Sequence, residues 1–259
     1  MIFGGDGPFD FPLKCLNLSD NTFVGVEGLK IIATFLKSKS TLKNLHLNCT
    51  RLGHQGVTVL ASMLDEVSID KLHIKQCCSI KDKGIERLLL ARNARYLKEL
   101  DLGEHEFESY GYNAISQFLQ NDQTILQRLN LHGIGPNKEC AQLLVNSLTN
   151  NKYLQDLELG HPYVFPDEED LFPNTTTNDR NVDVMPDLTE LVCNLSNFES
   201  LCQSNHQLHN FGNSDCINQQ PSSLLQEALC INERAAGFSD NAKMRYKLRT
   251  FYFRGHYDM

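Results

Sequence analysis

The sequence predicts an α/β fold: a right-handed solenoid, curved like a horseshoe, with a parallel sheet on the inside and helices on the outside. The first observation is a motif, leucine-x-x-leucine-x-leucine with isoleucine as a substitute, that begins at Leu13, Leu42, Ile69, Leu97, Leu126 and Leu154. The second is that these starts are 29, 27, 28, 29 and 28 residues apart. A constant period near 28 predicts one structural unit stacked on copies of itself, because each unit can bury its apolar face only against its neighbours.

The first half of each unit is predicted to be a short strand. Within the motif, leucines alternate with polar residues, which is the two-residue period of a strand with one buried face and one wet face. Each strand is followed by a helical segment before the next strand begins. The strands are therefore expected to be parallel and in register.

The second half of each unit is predicted to be a helix. In the second unit, Val57, Leu60, Ala61 and Leu64 form an apolar stripe at helical spacing. A small residue opens each helical half, and an apolar residue follows four positions later. These two columns are Gly28, Gly56, Gly84, Gly111 and Cys140, and Ile32, Leu60, Leu88, Ile115 and Leu144. Strands lie about 4.8 Å apart and helices are roughly 10 Å thick, so the stack curves with its strands inside.

These motifs resemble the leucine-rich repeat. The segments Leu13–Phe23 and Leu42–Gly56 follow its pattern, and the period of 28 with a helical half resembles the ribonuclease-inhibitor type. The resemblance covers residues 13–160 clearly and 185–212 weakly. It implies the fold with high specificity and the function with much less, because this scaffold serves many roles.

The ninth position of the motif departs from the family pattern. The family usually has asparagine there, whose side chain bonds neighbouring turns, and here only Asn21 keeps it. Thr50 and Cys77 are accepted substitutes, whereas His105 and Ile134 are not obvious ones. We therefore expect a looser turn ladder from the fourth repeat onward.

Three segments are predicted along the chain. Residues 1–12 form an N-terminal edge segment, residues 13–212 form the leucine-rich repeat solenoid, and residues 213–259 form a helical C-terminal cap. A solenoid needs such end segments because its last repeats would otherwise expose their leucines.

An acidic loop is predicted at about 161–187, within the sixth repeat. It holds seven acidic residues against Arg180, together with four prolines, a composition typical of a solvated insertion. We interpret it as a tolerated insertion, with attraction of a basic partner as the alternative. Weak strands are predicted at 198–201 and 208–211, and two helices are predicted in the tail, the second beginning near Ser239 or Asp240.

Composition and charge limit the classes of partner. The net charge of −8 argues against nucleic acid, which favours a broad basic face, and against an anionic membrane surface. The nine cysteines follow the repeats rather than a framework of pairs, which indicates reduced thiols in a reducing compartment. We expect a monomer that binds a protein partner in the cytoplasm, with the nucleus as the alternative location.

Candidate partner-binding residues lie on the polar side of the predicted strands, where they alternate with the buried leucines. The predicted binding residues are Asn17, Asn44, His46, Lys71, His73, Lys75, Glu99, Asp101, Arg128, Asn130, Asp156 and Glu158.

Metal and enzyme sites fit this face less well. His46 and His73 should be neighbours on adjacent strands near Cys77 and Cys78, but their spacing matches no closed zinc set, so no metal or other cofactor is predicted. His73 beside Asp101 would form a proton-transfer pair. However, the sequence contains no phosphate-binding or nucleophile motif, and an open face does not exclude water.

The predicted function is therefore non-catalytic binding of a partner protein through the inner face, as a scaffold. The resemblance also implies an alternative, in which the chain regulates a partner enzyme as a small-GTPase activator or as an enzyme inhibitor.

Overall fold

The structure is a computed structural model, and it describes residues 13–39, 41–77, 80–105, 107–134, 138–159, 207–208, 210–212 and 223–247. Seven strands form one parallel sheet in chain order. They are β1 Cys15–Asn17, β2 Asn44–His46, β3 Lys71–His73, β4 Glu99–Asp101, β5 Arg128–Leu131, β6 Asp156–Leu159 and β7 Asn210–Gly212.

A helix follows each of the first five strands. These helices are α1 Val26–Lys39, α2 Gly53–Leu64, α3 Asp82–Leu89, α4 Ser109–Gln120 and α5 Lys138–Leu148, with a short 3-10 helix at Ala94–Tyr96. Two more helices, α6 Ser223–Arg234 and α7 Asp240–Lys247, follow β7. The predicted α/β solenoid of parallel strands and alternating helices is confirmed.

Backbone hydrogen bonds join each repeat to the next at fixed positions. Before β2, the carbonyl oxygen of Lys14 accepts the N–H groups of Lys43 and Asn44 at 2.8 and 3.0 Å, and the same double acceptance recurs before β3 to β6. After β2, the N–H of Leu47 donates to the carbonyl of His73 at 2.8 Å, and this bond also has equivalents in the other repeats. The in-register stack is therefore held by backbone groups that every sequence supplies.

A residue with positive φ ends this ladder in each of the first five repeats. These residues are Asp20, Cys49, Gln76, Glu104 and Gly133, with φ between 55° and 76°. The left-handed conformation costs a non-glycine residue about 1 to 2 kcal/mol. An added hydrogen bond offsets part of that cost, because the N–H of the left-handed residue donates to the following repeat, as Glu104 does to His132 at 2.7 Å.

The core is one continuous layer between the sheet and the helices. The middle leucines of five strands, Leu45, Leu72, Leu100, Leu129 and Leu157, are at most 2 % exposed. The predicted helical stripe of α2 is completely buried. Each such side chain contributes about 1.5 to 3 kcal/mol by leaving water, so the leucine column stabilises the stack strongly.

The expected loosening of the turn ladder is wrong at the fourth repeat. His105 is buried, and its Nε2 lies 2.7 Å from the carbonyl oxygen of Ile74 in the preceding repeat. Cys77 makes the equivalent contact one repeat earlier, from Sγ to the carbonyl of Leu47 at 3.1 Å. A histidine ring therefore bridges two turns as the usual amide does, because its N–H reaches the same carbonyl.

The first repeat is less buried than the others. Leu16 and Leu18 are only partly buried, whereas Leu45 and Leu47 at the equivalent positions of the second repeat are completely buried. The predicted edge segment, residues 1–12, lies outside the described residues.

Strand β7 pairs directly with β6, with Phe211 opposite Leu157. The strand expected from the motif at 208–211 is therefore present, and it begins two residues after the motif start, as β6 does. The predicted acidic loop at 161–187 and the strand at 198–201 lie outside the described residues.

Helix α6 packs on the end of the stack, where Ala228 and Leu229 join the buried core and Asn232 Nδ2 donates to the carbonyl of Leu208 at 2.6 Å. The division into edge, solenoid and cap stays a prediction.

Two further features concern the described part of the chain. Cys15 and Cys230 are free thiols. No helix among the described residues is long and apolar enough to span a membrane.

The close packing of the fifth turn predicts that Gly133→Ala will lower the free energy of unfolding by about 2 kcal/mol. Gly133 has φ +76°, and an added Cβ would lie 2.5 Å from Glu104 Oε2, so the left-handed backbone would be strained and the carboxylate displaced from its position beside Lys75 and His132. Gly237→Ala is the matched control, because Gly237 has φ +89° with no atom within 4 Å of an added Cβ. Urea unfolding of both variants measures the difference, and equal losses would contradict the packing of Glu104 on this turn.

Candidate functional site: the polar sheet face

The register brings the predicted binding residues together on one side of the sheet, which we call the polar sheet face. One row runs through Asn17, His46, His73, Asp101, Asn130 and Glu158, and a second runs through Asn44, Lys71, Glu99, Arg128 and Asp156. Lys75 lies on the turn after β3. Asn17 and Arg128 are exposed, and the other ten residues are partly buried.

Glu99 is the centre of the charges on this face. Its Oε2 lies 2.7 Å from Lys71 Nζ and 3.0 Å from an Arg128 guanidinium nitrogen, while its Oε1 lies 2.8 Å from His73 Nε2. Burial by itself would raise the pKa of Glu99, but hydrogen bonds from Lys71 and His73 outweigh burial and hold the pKa below its usual 4.5. Glu99 is therefore a carboxylate that links β3, β4 and β5.

Two further contacts extend this network across the face. Arg128 Nε lies 3.2 Å from Asp156 Oδ2 on β6. On the other side, His46 Nδ1 on β2 lies 2.9 Å from His73 Nδ1, with the two rings perpendicular and their centroids 4.4 Å apart. A hydrogen-bonded chain thus runs from His46 through His73, Glu99 and Arg128 to Asp156 and crosses five adjacent strands.

A second, smaller group of charges lies where the strands end. Glu104 Oε1 is 3.7 Å from Lys75 Nζ and 3.4 Å from His132 Nε2. The sequence prediction omitted Glu104, because it follows the motif rather than alternating within it. The 28-residue period placed Glu104 in one column with Asp20, Cys49 and Gln76, but period alone does not reveal the left-handed backbone of that column.

The alternative proton-transfer pair of His73 and Asp101 is not formed, because His73 instead contacts Glu99. Asp101 Oδ1 accepts the N–H of Gly103 at 3.0 Å, and Asn130 accepts the N–H of His132 in the same way at 2.7 Å. These side chains fix the turns that follow their strands.

The described residues contain no group of three histidine, cysteine, aspartate or glutamate side chains that could hold a metal ion. His46 and His73 meet, but Cys77 is buried on the other side of the chain against the Leu47 carbonyl, and Cys78 lies outside the described residues. A structural zinc ion needs four protein ligands, so the histidine pair alone does not make such a site.

The polar sheet face is organised by its own contacts. Its charges are held in fixed positions by one another, and it presents donors and acceptors in straight rows. Side chains already fixed in place lose little conformational entropy when a partner binds.

Comparisons with known proteins agree with the fold. The family model described as Leucine Rich repeat matches residues 10–33. The chain is 32% identical over 142 residues to NACHT, LRR and PYD domains-containing protein 9C of Mus musculus, covering 53% of this chain and 14% of that protein. It is 26% identical over 135 residues to Ribonuclease inhibitor of Sus scrofa, covering 51% of this chain and 30% of that protein.

Among solved structures, the chain is similar to Leiomodin-1 Actin-Binding Site 2, with 21% identity and a TM-score of 0.44 over 53% of this chain and 80% of that one. The chain spans less than a third of the length of either curated relative, at 14% and 30%.

The central position of Glu99 predicts that Glu99→Gln will lower the free energy of unfolding at pH 7 by about 1 to 2 kcal/mol, because Lys71 and Arg128 lose an anionic partner and His73 loses a carboxylate acceptor. The folded-state pKa is depressed, so the carboxylate stabilises the fold above pH 4.5 and this contribution is lost as pH falls through the folded pKa. The difference in the free energy of unfolding between the wild type and Glu99→Gln should therefore become smaller in acid.

Urea unfolding at pH 7 and again well below pH 4.5 measures this gap. Glu86→Gln, at an exposed position on α3, is the control and should have little effect at either pH. A loss for Glu99→Gln that equals the loss for Glu86→Gln at pH 7 would contradict the proposed network.

Proposed function

We propose that this chain, a leucine-rich repeat protein of the ribonuclease-inhibitor-like type, is a non-catalytic interaction module that binds a partner protein through the polar sheet face. The observation that carries the proposal is the continuous chain of contacts from His46 to Asp156 across five strands. Such a chain holds charged groups ready for a complementary surface.

The outer surface offers no comparable arrangement among the described residues. Lys30 pairs with Glu27 on α1, and Lys37 of α1 pairs with Glu66 in the turn after α2, and the carboxylates of these pairs are 82% and 59% exposed. The Glu99 side chain is only 19% exposed. Exposed ion pairs are mobile and weak, so the polar sheet face is the better organised of the two surfaces.

The size of the face sets a requirement on the partner. Seven strands at a spacing of about 4.8 Å span roughly 29 Å, and three residues per strand add about 10 Å in the other direction. The projected area is therefore about 300 Å², whereas a stable complex buries about 800 Å² on each partner. We infer that the partner also contacts the turns beyond the strands, where Lys75, Glu104 and His132 lie.

Charge and cysteine chemistry support the class of partner and the location. With a net charge of −8, the chain is expected to bind protein rather than nucleic acid or an anionic membrane surface. The free thiols of Cys15 and Cys230 favour a reducing compartment. We propose a monomer in the cytoplasm, with the nucleus as the alternative.

A second candidate is inhibition of a partner enzyme. It is favoured over activation of a small GTPase because one relative is named Ribonuclease inhibitor and aligns over 51% of this chain. The candidate predicts that a molar excess of the chain lowers the initial rate of RNA hydrolysis by a ribonuclease in a fluorogenic assay. An unchanged rate would contradict inhibition of ribonuclease. The first proposal, binding of a partner protein, would then stand without this inhibition.

Docking on the polar sheet face predicts that the double substitution Asp156→Lys and Glu158→Lys will reduce partner capture at least about tenfold, because reversed charge disrupts electrostatic complementarity. The control is Glu86→Lys with Glu139→Lys, which makes the same change in net charge at exposed positions on the outer helices. Quantitative affinity capture with each variant, with thermal unfolding as the check on folding, measures the effect. Equal capture by both variants would contradict docking on this face.

A further inference from the structure

We propose that His46 and His73 form a proton-controlled contact within the polar sheet face, closed near neutral pH and opened by acid. As a regulator of docking, this contact rests on the function proposed above. The geometry itself belongs to the free protein. The two rings lie on neighbouring strands as Cα partners, with their Nδ1 atoms 2.9 Å apart.

The contact between His46 and His73 can hold only a limited number of protons. Two ring nitrogens at this distance need one proton between them. The Glu99 carboxylate only accepts, so His73 Nε2, 2.8 Å away, carries a proton. The shared proton then sits on His46 Nδ1 when both rings are neutral, or on His73 Nδ1 when His73 is cationic.

A second added proton has no place in this contact. When both rings are cationic, the two Nδ1–H groups point at each other across 2.9 Å, and neither has a lone pair to accept. The contact must then open. The first added proton keeps the pair closed and the second one breaks it, so the two histidines titrate as a coupled pair.

Charged and titratable groups lie near the pair and on the neighbouring strands. Glu99, Lys71 and Asp101 act on the charge of His46, while Cys15 lies on β1, Lys75 after β3 and Arg128 on β5. Glu99 Oε1 lies 2.8 Å from His73 Nε2 and accepts its proton in a hydrogen bond. Burial lowers the pKa of His46 below 6.5, and the charge of His73 lowers it further, against opposition from Glu99 and Asp101.

The depressed pKa fixes the direction of the response. The closed contact contributes its full stability above pH 6.5, and that stability is lost as pH falls through the folded pKa of His46. Opening the contact also releases two rings and adds positive charge beside Lys71 and Lys75. A partner that docks on the neutral, closed form therefore binds more weakly in acid.

The test uses the full chain without a partner. Ring nitrogen spectra of ¹⁵N-labelled histidines, recorded from neutral to acidic pH, follow both rings of the pair. Amide hydrogen exchange at Leu47 and Cys49, which donate to the carbonyls of His73 and Lys75, reports whether β2 and β3 separate. His105 is also buried with a lowered pKa, so acid can destabilise the whole fold through His105 as well. The amides of α4 therefore serve as the reference for global unfolding.

In the wild type, the proposal predicts coupled titration, with the second proton entering below pH 6.5. In acid, the hydrogen-exchange rate of the Leu47 amide relative to its intrinsic rate should rise up to about tenfold. This is the effect expected when one hydrogen bond between the two strands is lost. His46→Asn should abolish this acceleration. The control His54→Asn, at an exposed position on α2, should behave as the wild type does.

Two rings that titrate independently at ordinary midpoints would overturn the proposal, as would equal acceleration in wild type and His46→Asn. Failure of docking on the polar sheet face would be visible separately, in the charge-reversal experiment, and would leave these measurements on the free chain unaffected.

Discussion

The N–H and carbonyl groups at the two ends of each strand are hydrogen-bonded to the next repeat, and the rest of the structure depends on these bonds. They set one register for the whole sheet: Leu47 donates to His73 as Leu18 donates to His46. Because side chains alternate along a strand, a slip of one residue would turn every leucine into solvent and every polar residue into the core. The leucine column and the backbone ladder therefore enforce the same register.

That register also creates the polar sheet face. Neighbouring positions in a row lie one strand spacing apart, which is close enough for a histidine to contact a histidine and for Glu99 to contact Lys71 and Arg128 directly. Each charged group is oriented by the next one, so the face is organised before any partner arrives. The proposed docking and its proposed control by pH both follow from this spacing.

The sequence predicts the repeating parts of the molecule well, because period and alternation report directly on stacking. Val57, Leu60 and Leu64 are buried as their spacing requires, and the rows of the face follow from strand register. Which polar groups pair is a different matter. Glu99 rather than Asp101 contacts His73, because side-chain reach and turn capping decide between two carboxylates on the same strand. His105 bridges two turns although it departs from the usual amide, since only the geometry shows that its ring reaches the carbonyl.

The most direct measurement of the central claim is the distance between spin labels placed along one row of the polar sheet face. In-register stacking separates positions 17 and 130 by four strand spacings, and positions 17 and 158 by five. At about 4.8 Å per strand, the backbone separations are about 19 Å and 24 Å along the sheet. Pulsed dipolar spectroscopy should show the second distance longer than the first by about one strand spacing. Equal distances, or a shorter second distance, would contradict the stacked register on which the face depends.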